Sequence, residues 1–152
     1  MDKRKPCAFE AVLDNTLGDL QLDLEAAKHI HPTGIRYAFL WDSHAIDICI
    51  PSTSNSTYSN IFRVAAEVCE TTETDASALL YRIAFYLHVN DRAPIRIVPK
   101  PTSRNTVKLL LEIVGDVNLF QPEFIAATLI HMAELVGEIR SEMIDVSQDK
   151  AV

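Results

Sequence analysis

Two runs of alternating apolar and polar residues, separated by a short polar segment, constrain the fold most strongly. From Ile35 to Asp42 every second residue is a large apolar one, and Ala45 to Ile50 repeats the pattern with three isoleucines. Alternation with a period of two is typical of a β-strand that buries one of its faces. Because the polar residues 42–44 separate the runs, we predict a hairpin, and hence an antiparallel sheet.

The rest of the chain adds three strands and three helices. Apolar periodicity predicts helices over Cys7–Leu17, from a cap at Thr74 or Asp75 to about Asn90, and from Pro122 through Met143, and strands over Ile61–Cys69, Ile95–Lys100 and Thr106–Val114. The segment Asp19–His31 fits both a strand and a helix, and we favour a short second helix there. Leaving that segment aside, the predicted order is αβββαββα. This is an α+β fold with an antiparallel five-stranded sheet and helices on one face.

Length and composition predict one globular domain. The chain has 152 residues, of which 48% are hydrophobic and 23% charged, and these values are typical of a folded domain. We therefore predict a single α+β domain over residues 1–152, with flexible tails at 1–6 and 146–152. No signal peptide or long apolar run is found, so a cytoplasmic protein with no membrane partner is expected. The net charge of −7 argues against a nucleic-acid partner.

No residue pattern in the chain predicts catalysis, metal binding or a cofactor. Nucleophilic catalysis needs a serine or cysteine beside a base, whereas Cys49 and Cys69 lie within predicted strands, where an inert thiol is the simpler interpretation. The histidines form no supporting pair at the helical spacing of a metal site, and the four glycines are too scattered for a phosphate-binding loop. We predict no enzyme, no catalytic residue, no metal and no cofactor. An enzyme that uses Asp42 and His44 is a less favoured hypothesis.

One stretch of the chain is strongly basic. It contains five basic residues with no acidic residue between them: Arg92, Arg96, Lys100, Arg104 and Lys108. Arg96 and Lys100 alternate with isoleucines, so they should point away from the core. A solvated outer face of the sheet is the simpler interpretation, and a docking surface for an acidic segment of a protein partner is the alternative. The acidic series at residues 67, 70, 73 and 75 could supply such a segment across a dimer.

The last predicted helix has a wider apolar face than one small sheet is expected to bury. Its main stripe advances in steps of three and four residues: Ile125, Leu129, Met132, Val136, Ile139 and Met143. A second stripe widens the apolar face: Phe124, Ala127, His131 and Leu135. Because exposed apolar patches usually mark interfaces, we predict a homodimer through the second stripe. Packing of the first helix over that stripe within one chain is the competing account.

A resemblance to a known family rests mainly on the last third of the chain. It is carried by the apolar strand Leu109–Val114, then Asp116, then the segment Phe120–Ile125 and the helix through Leu129 and Met132. These residues and the element order resemble the YbjN-like family of bacterial sensory transduction regulators. The resemblance implies a type III secretion chaperone-like fold, whose chaperone members are typically dimers, and a chaperone-like or regulatory role. The predicted function is therefore a non-enzymatic protein-binding module. A small-molecule sensor with a pocket between sheet and helices is the alternative.

Overall fold

The computed structural model describes residues 8–51, 61–92, 94–119 and 121–145, so the predicted tails at 1–6 and 146–152 lie outside it. The helices are α1 (Ala8–Asp19), α2 (Leu24–Ala27), α3 (Glu73–Val89) and α4 (Ile125–Ile139). The strands are β1 (Lys28–His31), β2 (Gly34–Trp41), β3 (His44–Ile50), β4 (Ile61–Thr72), β5 (Arg96–Pro101) and β6 (Thr106–Asp116). A 3₁₀ turn over Pro122–Phe124 precedes α4, and a π-helical turn over Arg140–Asp145 follows it.

All strands belong to one open antiparallel sheet in the order β1-β2-β3-β4-β6-β5. The fold class is therefore α+β as predicted, but the sheet has six strands and not five. The additional strand is β1, in the segment for which a helix was favoured. Asp23 caps only one helical turn, where its carboxylate accepts hydrogen bonds from the N–H groups of Glu25 and Ala26. The chain then pairs with β2 through a turn at residues 32–33.

The hydrophobic core lies between the helices and one face of the sheet, which we call the inner face. Its side chains alternate along the strands, and the following are all buried: Ile35, Tyr37, Ile46, Ile48, Ile50, Phe62, Val64, Ala66, Leu109 and Leu111. Phe39 and Trp41, which the alternation places on the same face, are half-buried. All six residues of the main α4 stripe are buried against this face, which confirms that prediction. Each buried aliphatic side chain of this size contributes about 1.5–3 kcal/mol relative to its exposed state.

The hairpin between β2 and β3 closes through a two-residue turn. Trp41 pairs with His44, and the two residues between them, Asp42 and Ser43, have positive φ values of 50° and 66°. Positive φ at both central residues is the geometry of the type I′ turn, whose twist matches that of the flanking strands. The predicted hairpin is confirmed, although His44 belongs to the strand and not to the turn.

Two predicted helix starts are wrong by two or three residues. Strand β4 continues to Thr72 past an irregularity between Glu67 and Cys69, so α3 begins at Glu73. Its N-cap is Thr72, whose hydroxyl accepts a hydrogen bond from the Asp75 N–H at 3.2 Å. This bond satisfies a backbone donor of the first turn, which has no partner within the helix. The last α-helix begins at Ile125, since Pro122 starts the preceding 3₁₀ turn.

A close aromatic contact joins α1 to the middle of the sheet. Phe62 of β4 lies opposite Gly115 of β6, and a Cβ atom at position 115 would come within 2.7 Å of the Phe62 ring. On its other side the Phe62 ring stacks on Phe9 of α1, with 5.4 Å between ring centroids. Gly115 therefore provides the space in which the aromatic pair fits.

The two edges of the sheet differ in sequence. Edge strand β5 contains Pro99 and Pro101, which lack an N–H and are tolerated in a ladder only where the nitrogen faces away from the neighbouring strand. Edge strand β1 has no proline within its four residues. Only β1 therefore presents an edge with its backbone donors intact.

Candidate functional site

The face of the sheet opposite the helices, which we call the outer face, carries most of the charged strand residues. They alternate with the core residues along each strand: Arg36, Asp47, Arg63, Glu67, Arg96, Lys100, Lys108 and Glu112. An antiparallel sheet commonly leaves one face to solvent in this way. The predicted outward orientation of Arg96 and Lys100 agrees with their exposure.

Glu112 is the most buried charged residue of the outer face. Its carboxylate accepts hydrogen bonds from Arg63 Nη1 at 2.9 Å and Arg96 Nε at 3.0 Å. Burial raises the pKa of the Glu112 carboxyl, but the hydrogen bonds and charges of the two arginines outweigh it, so the pKa lies below its ordinary value. Glu112 is therefore ionised at neutral pH, and it links β4, β5 and β6 through side chains.

Four of the five residues in the basic series form ion pairs within the same chain. Arg92 pairs with Glu138 of α4 at 3.7 Å, so it lies on the helical side and not with the others. Arg96 pairs with Glu112. Arg104 and Lys108 pair with two members of the acidic series, Glu70 at 3.5 Å and Glu67 at 3.8 Å.

Lys100 is the exception in the basic series. It is exposed, and no acidic side chain among the described residues forms an ion pair with it. It lies directly opposite Lys108 in the β5–β6 ladder. Like charges at directly opposite positions repel each other, because their Cβ atoms are only about 4.5–5.5 Å apart. This end of the outer face therefore carries positive charge that the acidic side chains of the described residues do not fully compensate.

A groove with a volume of about 320 Å³ crosses the outer face from β2 to β5. We call it the outer groove. Its apolar lining is mostly small or aliphatic and includes one aromatic residue: Ala38, Phe39, Leu40, Ala45, Ile46, Ala65 and Leu110. Its charged lining consists of Arg36, Asp47, Arg63, Glu67, Lys100 and Lys108. Arg36 Nε donates a bifurcated hydrogen bond to Asp47, with both carboxylate oxygens 3.0 Å away. Apart from this pair and Glu67, the groove therefore presents mainly apolar surface and cations.

The predicted dimer stripe is only partly exposed. Phe124 is 58% exposed, whereas Leu135 is 1% exposed and belongs to the core. Ala127 is exposed and His131 is half-buried. The placement of Leu135 at an interface between chains is therefore wrong, because α4 buries a wider face than its main stripe and also contacts α1.

An apolar stripe on α3 was not found by the sequence analysis. Tyr81, Phe85 and Val89 follow at intervals of four residues, and all are exposed. The spacing is visible in the sequence, but the same helix also has an inward stripe through Ile83 and Leu87. Periodicity alone did not distinguish the two faces.

A buried polar network joins α1 to β1 and β2, and it too was not predicted. Lys28 Nζ lies 2.7 Å from Glu10 Oε2 and 2.7 Å from Asp14 Oδ2. The Tyr37 hydroxyl donates to Asp14 Oδ1 at 2.6 Å. Burial alone would lower the pKa of Lys28, but its hydrogen bonds to Asp14 and Glu10 outweigh this effect, so the pKa is raised above its ordinary value of 10.5. The network holds the edge strand β1 against α1.

The residues considered for catalysis do not form a catalytic arrangement in the described part of the chain. His44 Nδ1 is buried without a hydrogen-bond partner there, and no hydrogen bond joins it to Asp42. Cys49 and Cys69 are free and half-buried, and burial raises the pKa of both thiols, which lowers the fraction of reactive thiolate. Among the same residues, no three potential metal ligands come together.

One cavity fits the position that was considered for a small ligand. It has a volume of about 290 Å³ and lies between α3 and β5, lined by Ala84, Leu87, His88, Ile95, Arg96 and Ile97. Small-molecule sites usually combine apolar walls with several converging polar groups. In this cavity only His88 and Arg96 are polar, and Arg96 already pairs with Glu112. The lining therefore offers few polar groups to a small ligand.

Comparison with known proteins supports the fold and does not identify a family. No family model and no curated protein matches the chain. The chain is similar to the crystal structure of an uncharacterized protein from Methanothermobacter thermautotrophicus, with a TM-score of 0.53 and 11% sequence identity over 93% of this chain and 98% of that one. None of the helices in residues 8–51, 61–92, 94–119 and 121–145 has the length and apolar character required to cross a membrane.

Proposed function

We propose that this chain is a non-enzymatic protein-binding module that receives its partner on the outer face of the sheet. The observation that carries the proposal is the outer groove, which no helix of the described chain covers. Through the resemblance to the YbjN-like family, the proposal extends to a chaperone-like or regulatory role in the cytoplasm. The type III secretion chaperone-like fold is part of the same proposal.

The composition of the outer face favours a protein partner. Leu40, which lines the outer groove, is 69% exposed, and Ala38, Ala45 and Leu110 extend the apolar lining. Charged residues lie between them, since Asp47 is paired with Ala38 and Ala65, and Glu67 with Leu110. A mixture of apolar contacts and hydrogen-bonding groups is usual in a protein–protein interface. A surface of this kind on a monomer is commonly a binding site.

The variant Leu40→Glu tests this proposal, because it introduces a charge into the apolar lining of the groove. Its matched control is Leu119→Glu, since Leu119 is 86% exposed and does not line the groove. Proteins that the wild type retains from a lysate of the source organism should decrease at least about 10-fold with Leu40→Glu and stay unchanged with Leu119→Glu. Quantitative mass spectrometry measures both. Equal retention by the two variants would contradict binding through the outer face.

Self-association as a homodimer is a further part of the proposal. Two exposed apolar residues support it, Phe124 directly before α4 and Ile130 within it, together with Ala127 and His131 of the predicted stripe. Sedimentation equilibrium at micromolar concentration should give about twice the chain mass of 17.0 kDa. The variant Phe124→Asp should lower this mass towards the monomer, because a charge at an interface is costly to desolvate. A wild-type mass near 17.0 kDa would reject the dimer.

A further inference from the structure

We infer that the segment bound in the outer groove is an acidic, extended stretch of polypeptide, one carboxylate of which lies between Lys100 and Lys108. This inference rests on the proposed protein-binding function and adds the chemical class of the partner. It is carried by the facing lysine pair, by the charges that line the groove, and by the apolar surface beside them.

The facing lysines provide a site for one negative charge. Lys100 and Lys108 are directly opposite each other on neighbouring strands, so each raises the electrostatic energy of the other. The chain offers them little compensation: Glu67 lies 3.8 Å from Lys108, and Lys100 has no ion pair with any described acidic residue. A carboxylate between the two ammonium groups would accept from both and would remove the repulsion.

The other two cations that line the groove each contact a carboxylate, although Arg63 shares Glu112 with Arg96, whereas Lys100 contacts none among the described residues. The least compensated cation of the groove therefore lies at the lysine end. Arg36 is paired with Asp47, and Arg63 with Glu112. Four cations and two anions line the groove, in a chain whose net charge is −7. An approaching anion is therefore attracted locally to Lys100 and Lys108, while the rest of the chain repels it.

The groove fits a polypeptide better than a nucleic acid. Its apolar lining includes Ala38, Ala45 and Leu110, and the spaced apolar side chains of an extended peptide can pack on such a surface. A nucleic acid carries a phosphate charge at every nucleotide. It would bring several of these charges close to Asp47 and Glu67. The inference therefore commits to acidic side chains of a protein.

The test measures binding of defined probes to the purified full-length chain by fluorescence anisotropy. The probes are a labelled decapeptide of alternating Glu and Ala, a Lys–Ala decapeptide of reversed charge, and a ten-nucleotide oligothymidylate. We expect the acidic peptide to bind tightest and to weaken as salt is added, because exposed charges are screened. No binding of the acidic peptide at millimolar concentration, or tighter binding of the oligonucleotide, would overturn the inference.

Two variants with the same change in net charge separate a local contact from a general effect of charge. Lys100→Glu should weaken binding of the acidic peptide at least about 5-fold. Arg82→Glu replaces an exposed arginine of α3 that does not line the groove, and it should change the dissociation constant by less than about 2-fold. Equal effects of the two variants would overturn the inference. The lysate experiment separates this inference from the proposed function. If the Lys100→Glu variant retains the proteins that the Leu40→Glu variant loses, the groove binds protein, and only the inference that the bound segment is acidic is wrong.

Discussion

The variant Leu135→Asp is expected to abolish folding at neutral pH, whereas Phe124→Asp, directly before the same helix, should fold normally. Leu135 is 1% exposed and belongs to the hydrophobic core. An aspartate there would lose the buried leucine contacts, which are worth about 2–5 kcal/mol, and would also bury a carboxylate. The sum approaches the whole free energy of unfolding of a typical domain, about 5–15 kcal/mol. Phe124 is 58% exposed, so an aspartate at that position remains hydrated.

Circular dichroism and urea unfolding distinguish the two variants. Leu135→Asp should lack the cooperative transition of the wild type, or show it at a much lower urea concentration. Phe124→Asp should differ from the wild type by less than about 1 kcal/mol. Folded, monomeric Leu135→Asp would show instead that Leu135 lies at an interface between chains and that the core does not need it.

The variant Lys28→Met should lower the free energy of unfolding by about 3 kcal/mol. It keeps the length of the side chain but removes the ammonium group that lies 2.7 Å from both Glu10 and Asp14. Glu10 is only 2% exposed, and a buried carboxylate that loses a nearby cation is strongly destabilising. Lys100→Met is the matched control. It removes a lysine that is exposed and should change stability by less than about 0.5 kcal/mol.

A double variant and the pH dependence test the electrostatic explanation. Replacing Glu10 by Gln in the Lys28→Met background should restore part of the lost stability, because the buried side chain that has lost Lys28 is then neutral. The pKa of Lys28 is raised in the folded chain. Its contribution is therefore fully present below the ordinary lysine value of 10.5 and is lost as the pH rises through the raised value. A loss of stability that the Glu10→Gln change does not reduce would instead indicate a packing effect at Lys28.

The inner face of the sheet could be predicted because its signal is local. Ile46, Ile48 and Ile50 alternate with more polar residues, and a period of two assigns them to one face without knowledge of their neighbours. Strand β1 has no such signal, since Lys28, His29 and His31 are polar. Its backbone forms a strand because it pairs with β2. The residues of β1 alone do not predict that pairing.

The candidate site was predicted less completely, because its contacts join distant parts of the chain. Lys28 and Glu10 are 18 positions apart, and Arg63 and Glu112 are 49 apart, so no spacing rule connects them. The outward orientation of Arg96 and Lys100 followed from alternation. The ion pairs of Arg104 and Lys108 with Glu70 and Glu67 could not be predicted in the same way, since they depend on the β4–β6 pairing.

The unequal edges of the sheet limit how copies of the chain could join edge to edge. At the β5 edge, Pro99 and Pro101 remove donors that an added strand would need. Growth of the sheet could therefore use β1 alone. Two copies that met through β1 would leave only proline-bearing edges outside, and a third copy would find no competent edge to extend. The prolines of β5 would thus stop such edge-to-edge growth at two copies, which opposes fibre formation.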